Sequence, residues 1–167
     1  MNKDLKIRLQ QLPQTVVEIK QGMELELISS FYVGAKDNDI KQVASCFNNS
    51  IPTDYIDFLK FSNGCILFDS NGIDGFKFLG TNNICQVNEE VKRNYEEDWD
   101  DSIIIFCEVI GEGNYLGFRH IEDNKYEILD SFHEYLPFEW ETIPMLFDDF
   151  LKKLLDGTGD KFWPKSK

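Results

Sequence analysis

The stretch Ser50-Ile51-Pro52-Thr53-Asp54-Tyr55-Ile56-Asp57-Phe58-Leu59-Lys60-Phe61-Ser62-Asn63-Gly64 contains a complete short helix with both ends marked. Pro52 sits near the first helical position, where its missing N–H costs nothing, and Ser50 or Thr53 is placed to cap the exposed amides. Tyr55, Phe58, Leu59 and Ser62 recur at i, i+3, i+4 and i+7, so three large side chains leave one face together. Asn63-Gly64 supplies the left-handed turn that ends a helix. Cys65-Ile66-Leu67-Phe68 follows as a short apolar run of strand type. The chain changes here from helix-forming to sheet-forming sequence.

The flanking sequence extends this pattern in both directions. Residues 3–12 suit an opening helix with Leu5, Leu9 and Leu12 on one side and Pro13 as its end. Residues 15–32 fit two readings: Met23, Leu25 and Leu27 alternate as in a strand, while the Glu, Gln and Leu content equally allows helix. Asp37 is expected to cap a helix carrying Ile40, Val43, Ala44 and Phe47, broken by Asn48-Asn49-Ser50. Beyond Phe68, the turn formers from Asp69 to Gly75 lead into a strand at Phe76-Lys77-Phe78-Leu79. Asn83 is placed to cap a helix over residues 84–95, with Ile84, Val87, Val91 and Tyr95 along one face.

Residues 103–109 carry the strongest strand signal, apolar on both faces and hence central in a sheet. Gly111-Glu112-Gly113-Asn114 turns into a strand from Tyr115 to Ile121, and Glu122-Asp123-Asn124-Lys125 turns into another from Tyr126 to Leu129. These three runs predict an antiparallel meander. Residues 133–141 suit an edge, since Pro137 cannot donate to a ladder. Thr142-Ile143-Pro144 is expected to open a last helix with Phe147, Phe150, Leu151 and Leu154 buried and Gly157 as its stop. Helices at both ends and strands in the middle give an α+β fold in one domain, with a central antiparallel sheet of five to six strands.

Composition decides what such a fold is suited to. With 167 residues, 42% hydrophobic and 14% aromatic, the chain builds a real core, burying roughly two-thirds of its unfolded surface. Thirty acidic against 17 basic residues leave a net charge of −13. Such a chain repels phosphate backbones, which argues against direct nucleic-acid binding, and it attracts basic partners; solubility alone would also account for the charge. Cys46, Cys65, Cys85 and Cys107 form no C-x-x-C pair and adjoin apolar segments, so reduced, buried thiols are expected. The first residues lack a signal-peptide core, and the run Ile103-Ile104-Ile105-Phe106-Cys107 is far too short for a bilayer. A cytoplasmic location is expected, without a membrane contact.

Three features together resemble the SUKH superfamily. They are Gly34-Ala35 before the helix of Ile40 and Val43, the pattern Ile51-Pro52-x-x-Tyr55-x-x-Phe58-Leu59-x-x-x-Asn63-Gly64, and the strand 103–109 running into Gly111-Glu112-Gly113-Asn114-Tyr115. The superfamily includes the Smi/Knr-type regulators of yeast cell-wall assembly and many bacterial toxin-immunity proteins. The resemblance covers residues 31–157, leaving residues 1–30 as an N-terminal extension packing on the domain and 158–167 as a tail, where Phe162 and Trp163 can tuck back. It implies a non-enzymatic protein that binds and neutralises a cognate toxin, a basic nuclease being the class that suits the charge. A regulatory scaffold is the alternative.

No motif contradicts that implication. His120 and His133 have no signature partner, and neither a nucleophile elbow, a P-loop nor a metalloprotease pair occurs. Asp69-Ser70-Asn71-Gly72-Ile73-Asp74 departs from a calcium loop at Ile73 and Asp74, and reads as a plain turn. No cofactor or metal is expected. The candidate partner-binding residues are Glu96, Glu97, Asp98, Trp99, Asp100 and Asp101, five carboxylates around one large aromatic, with Glu108, Glu112 and Glu122 extending the negative field. The competing reading is a solvated loop whose Trp99 packs back onto the body.

Overall fold

A computed structural model describes residues 1–20, 22–48, 50–122 and 125–163. Asn49 of the expected helix break, Asp123-Asn124 of the expected turn and the last four residues of the tail lie outside the described residues. The chain runs α1 (Lys3–Gln11), β1 (Thr15–Lys20), β2 (Met23–Phe31), α2 (Asp37–Cys46), α3 (Thr53–Phe61), β3 (Cys65–Asp69), β4 (Phe76–Phe78), α4 (Ile84–Tyr95), β5 (Ile103–Val109), β6 (Asn114–Glu122), β7 (Lys125–Ser131), β8 (Glu141–Ile143) and α5 (Phe147–Asp156). The eight strands form one sheet in sequence order, and every neighbouring pair is antiparallel. The α+β class and the meander are as expected; the sheet is larger than expected.

The added strands come from two places. Residues 15–20 and 23–31 pair as the β1–β2 hairpin, because pairing Val16 with Leu27 and Glu18 with Leu25 gives one face of the alternating pattern something to cover. Leu27 is buried on that face. At the other edge, residues expected to open the last helix form β8 instead, with Ile143 opposite Ile128 and buried. The helix begins at Phe147, whose N–H donates to the Tyr126 hydroxyl at 2.8 Å.

The α3 helix matches its sequence signals with two refinements. Tyr55, Phe58 and Leu59 are buried as the spacing predicts, but Pro52 itself is the N-cap and neither Ser50 nor Thr53 caps the helix. Gly64 has φ +82°, and a Cβ there would lie 2.7 Å from the Phe78 carbonyl oxygen, so both conformation and space require glycine. Ser62 is fully buried: its hydroxyl accepts the Tyr32 N–H at 3.0 Å and donates to the Gly64 carbonyl, tying the segment after β2 to the end of α3. In α2, Lys36 rather than Asp37 is the N-cap; Asp37 and Asp39 sit in the first turn, where their charge favours the helix dipole.

One side of the sheet carries the main core. Tyr55 packs between Phe58, Phe106, Phe118 and Phe147. Strand β5 is buried at every position except Glu108, as expected for a central strand. The chain end also closes on this side. Trp163 packs on Phe76 and Phe150, and its Nε1 donates to Asp130 at 2.7 Å. The left-handed residues after α5 are Thr158 and Gly159, not Gly157.

The cysteines divide into two kinds. Cys65 and Cys107 are buried free thiols, and burial pushes both well above the usual thiol pKa. Cys46 and Cys85 instead form a disulfide, with Cα atoms 6.4 Å apart, because α2 and α4 pack side by side although 39 residues separate the two. The expectation of four reduced thiols is corrected for this pair. A loop of that size implies a contribution of about 2–4 kcal/mol. Replacing Cys46 by Ser should therefore lower the urea midpoint in oxidising buffer, and reductant should bring the parent protein down to the variant. Identical melts without reductant would show that the two sulfurs are not bonded.

Candidate partner-binding surface

The acidic loop sits at the end of α4, whose apolar stripe (Ile84, Val91) packs inward while Glu89 and Glu90 face outward. Asn88 fixes that helix to the sheet. Its side chain donates to the Ile105 carbonyl at 2.9 Å and accepts the Ile105 N–H at 2.7 Å. Between residues 89 and 101 seven carboxylates face only Lys92 and Arg93, a dense share of the chain's net negative charge. Lys92 pairs with Asp101 at 2.5 Å, and Asp100 accepts the Ser102 N–H at 2.9 Å. Glu96, Glu97 and Asp98 form an exposed 3-10 turn.

Trp99 is half-buried rather than a free anchor. Its ring lies 6.2 Å from Tyr95 and 6.1 Å from Trp140, and Tyr95 meets Trp140 edge-on at 5.4 Å. The competing reading of this residue holds in part: Trp99 packs on the body. That packing has a consequence absent from the local sequence. It joins the acidic loop to residues 134–141, which carry Glu134, Glu139 and Glu141 and an aromatic side chain that stays out. Phe138 is 70% exposed, beside Leu136 at 36%. Trp140 turns inward, its Nε1 donating to the Tyr135 carbonyl at 3.1 Å, and this leaves Phe138 outward.

Glu108 and Glu112 are not part of the loop cluster. They lie at the other end of β5, about 20 Å along the strand from Asp101. Glu108 pairs with Lys77 at 2.9 Å. Glu112 accepts from Asn114 at 3.1 Å and pairs with Lys161; Asn114 in turn accepts the His133 N–H at 3.1 Å. Glu112 thus adjoins the start of the 134–141 segment. Glu122 pairs with Lys125 at the end of β6, on the loop's end of the sheet, where the His120 N–H donates to the Ser102 carbonyl at 2.9 Å.

The two histidines and the 69–74 loop sit among local partners. The His133 ring nitrogen Nδ1 lies 2.9 Å from Asn114, and His120 sits on β6 opposite Tyr126. In the 69–74 loop Asp69 accepts the Gly72 N–H at 2.7 Å, as in a turn. Among the described residues no three His, Cys, Asp or Glu side chains are grouped to hold a metal. Nor is any helix among them long and apolar enough to cross a membrane.

Two carboxylates, half-buried Asp54 and buried Asp130, titrate against the fold. Burial pushes Asp54 up, opposed by the Tyr126 hydroxyl that donates to it, and burial pushes Asp130 up, opposed by Trp163. Burial, reinforced by Asp54, raises Tyr126 far above its usual value. A carboxyl raised in the folded state binds its proton more tightly there than in the unfolded chain. Its contribution is present below the unfolded value, about 3.9, and is lost as pH rises through the raised one. The urea midpoint should fall over that window, and Asp130→Asn should flatten the fall. An unchanged slope in the variant would remove Asp130 from the account.

Residues 34–153 match the model of a family described as the SMI1 / KNR4 family (SUKH-1). The chain belongs to this family. The match begins just after β2 and ends within α5, so it covers the core helix α3, strands β3–β8 and the acidic surface. Comparison with curated proteins gives no significant match.

Proposed function

We propose that this protein is a non-enzymatic immunity protein that binds a cognate toxin, a basic protein such as a nuclease, and occludes it. The observation that carries the reading is the acidic, aromatic-centred surface formed by residues 96–101 and 134–141, in a chain of net charge −13. Such a surface steers a basic partner into place, and Phe138 supplies an exposed apolar contact within it. We place the activity in the cytoplasm.

The protein mixed with the toxin encoded beside its gene should form a complex at low ionic strength. Its association rate should fall by about tenfold or more as salt is raised toward 0.5 M. No complex at low salt would sink the reading. The second reading is a regulatory scaffold without a toxin, as the resemblance to the Smi/Knr-type regulators implies. Genomic neighbourhood separates the two, since an immunity gene adjoins a toxin gene.

A further inference from the structure

The β1–β2 hairpin lies wholly before the residues that match the family, yet it extends the sheet by two strands. Antiparallel register assigns its side chains to faces. Val16, Glu18, Lys20, Leu25 and Leu27 share the face that packs on the core, while Thr15, Val17, Ile19, Glu24, Glu26 and Ile28 share the other. On that outer face Val17 is 54% exposed, Ile19 77% and Ile28 39%. Half-buried Ile66 continues the strip onto β3, opposite Ser30. Three exposed β-branched side chains on one sheet face form an apolar patch that solubility does not require.

The charges framing this patch specify what fits it. Glu24 and Glu26 stand on the same face and enter none of the ion pairs among the described residues. A second copy of the chain would bring the same carboxylates and a further −13. Strand addition at the β1 edge is also discouraged, because Glu18 and Lys20 place charges along it on the core-side face. A helix about 10 Å across covers two strands spaced about 4.8 Å apart, which is the width of the hairpin.

We propose that the outer face of the β1–β2 hairpin docks a basic amphipathic helix of a partner protein. The helix sets its apolar side on Val17, Ile19 and Ile28, and its lysines or arginines meet Glu24 and Glu26. This deepens the functional reading and rests on it, in that the partner is basic. It makes the hairpin, rather than the family-matched residues, an element that selects the partner.

The test uses the full isotope-labelled chain and a synthetic helical peptide with leucines on one face and lysines on the other. Amide shifts should be largest in β1 and β2, and binding should weaken about tenfold in Ile19→Ser and again in Glu24→Gln/Glu26→Gln. The substituted side chains are exposed, so the variants should keep the parent's circular dichroism and melting curve. Shifts confined to residues 96–101 and 134–141 would overturn the proposal while leaving the acidic-surface reading intact. So would equal binding of a leucine–serine peptide, or a dimer in sedimentation that Ile19→Ser dissolves. A toxin complex that forms with unchanged affinity in both variants would likewise remove the hairpin and keep the immunity function. Absence of the toxin complex alone would instead count against that function.

Discussion

Truncating Tyr55 to Ala should remove much of the protein's stability. The ring is fully buried and lies 5.1 Å from Phe147, 5.4 Å from Phe118 and 5.6 Å from both Phe58 and Phe106. Removing an aromatic from such a site costs about 3–5 kcal/mol, because rings held by two sheet strands and two helices cannot collapse into the space. The hydroxyl adds a second loss. It donates to the Leu79 carbonyl at 2.6 Å, with the Phe106 carbonyl at 3.1 Å. Phe106 also accepts the Leu79 N–H at 2.8 Å, so the Leu79 carbonyl is the group left short, at about 1–3 kcal/mol. The total approaches the whole stability of an ordinary domain, about 5–15 kcal/mol. Tyr55→Phe separates the terms: it keeps the ring and should cost only the second. Urea melts followed by circular dichroism read both, and an alanine variant within about 1 kcal/mol of the parent would show that these rings are not the core.

The same residues explain why α3 is legible from sequence and some other elements are not. The signals of α3 are local: spacing selects Tyr55, Phe58 and Leu59, the helix stops at extended Ser62, and Gly64, with positive φ, turns the chain toward β3 just beyond it. The hairpin of β1 and β2 has a pattern that either period partly fits, and what decides it is the docking of Ser30 and Phe31 against Ile66 and Cys65 of β3. Sequence has no local term for that pairing. The same holds for Cys46 and Cys85, which meet only because two helices pack, and for Ile143, which β7 draws into the sheet. The five-carboxylate loop was legible as charge, but not as half of a surface. Its other half, Phe138, sits in His133-Glu134-Tyr135-Leu136-Pro137-Phe138-Glu139-Trp140, where two large aromatics stand two residues apart. Sequence does not say which of them points out. The hydrogen bond of Trp140 to the Tyr135 carbonyl decides it.

If the acidic surface is where a toxin binds, its two parts should fail in different kinetic steps. Glu97 and Asp98 are exposed and enter no ion pair among the described residues, so converting both to Lys should leave the fold intact. Their field acts before contact. The double reversal should cut the association rate about tenfold at low salt and flatten its salt dependence, with little change in dissociation. Phe138 acts after contact. An exposed aromatic buried by a partner and ringed by other residues carries about 2 kcal/mol or more, so Phe138→Ala should speed dissociation about 30-fold and leave association unchanged. Stopped-flow and surface-binding kinetics distinguish these outcomes. A complex whose two rates ignore both variants would place the toxin elsewhere on the molecule. Loss confined to dissociation would identify Phe138 as an anchor and reduce the acidic loop to a solubility device. The split between association and dissociation is the expected outcome, because Trp99 packs on Trp140 and so holds the acidic loop against the segment that carries Phe138.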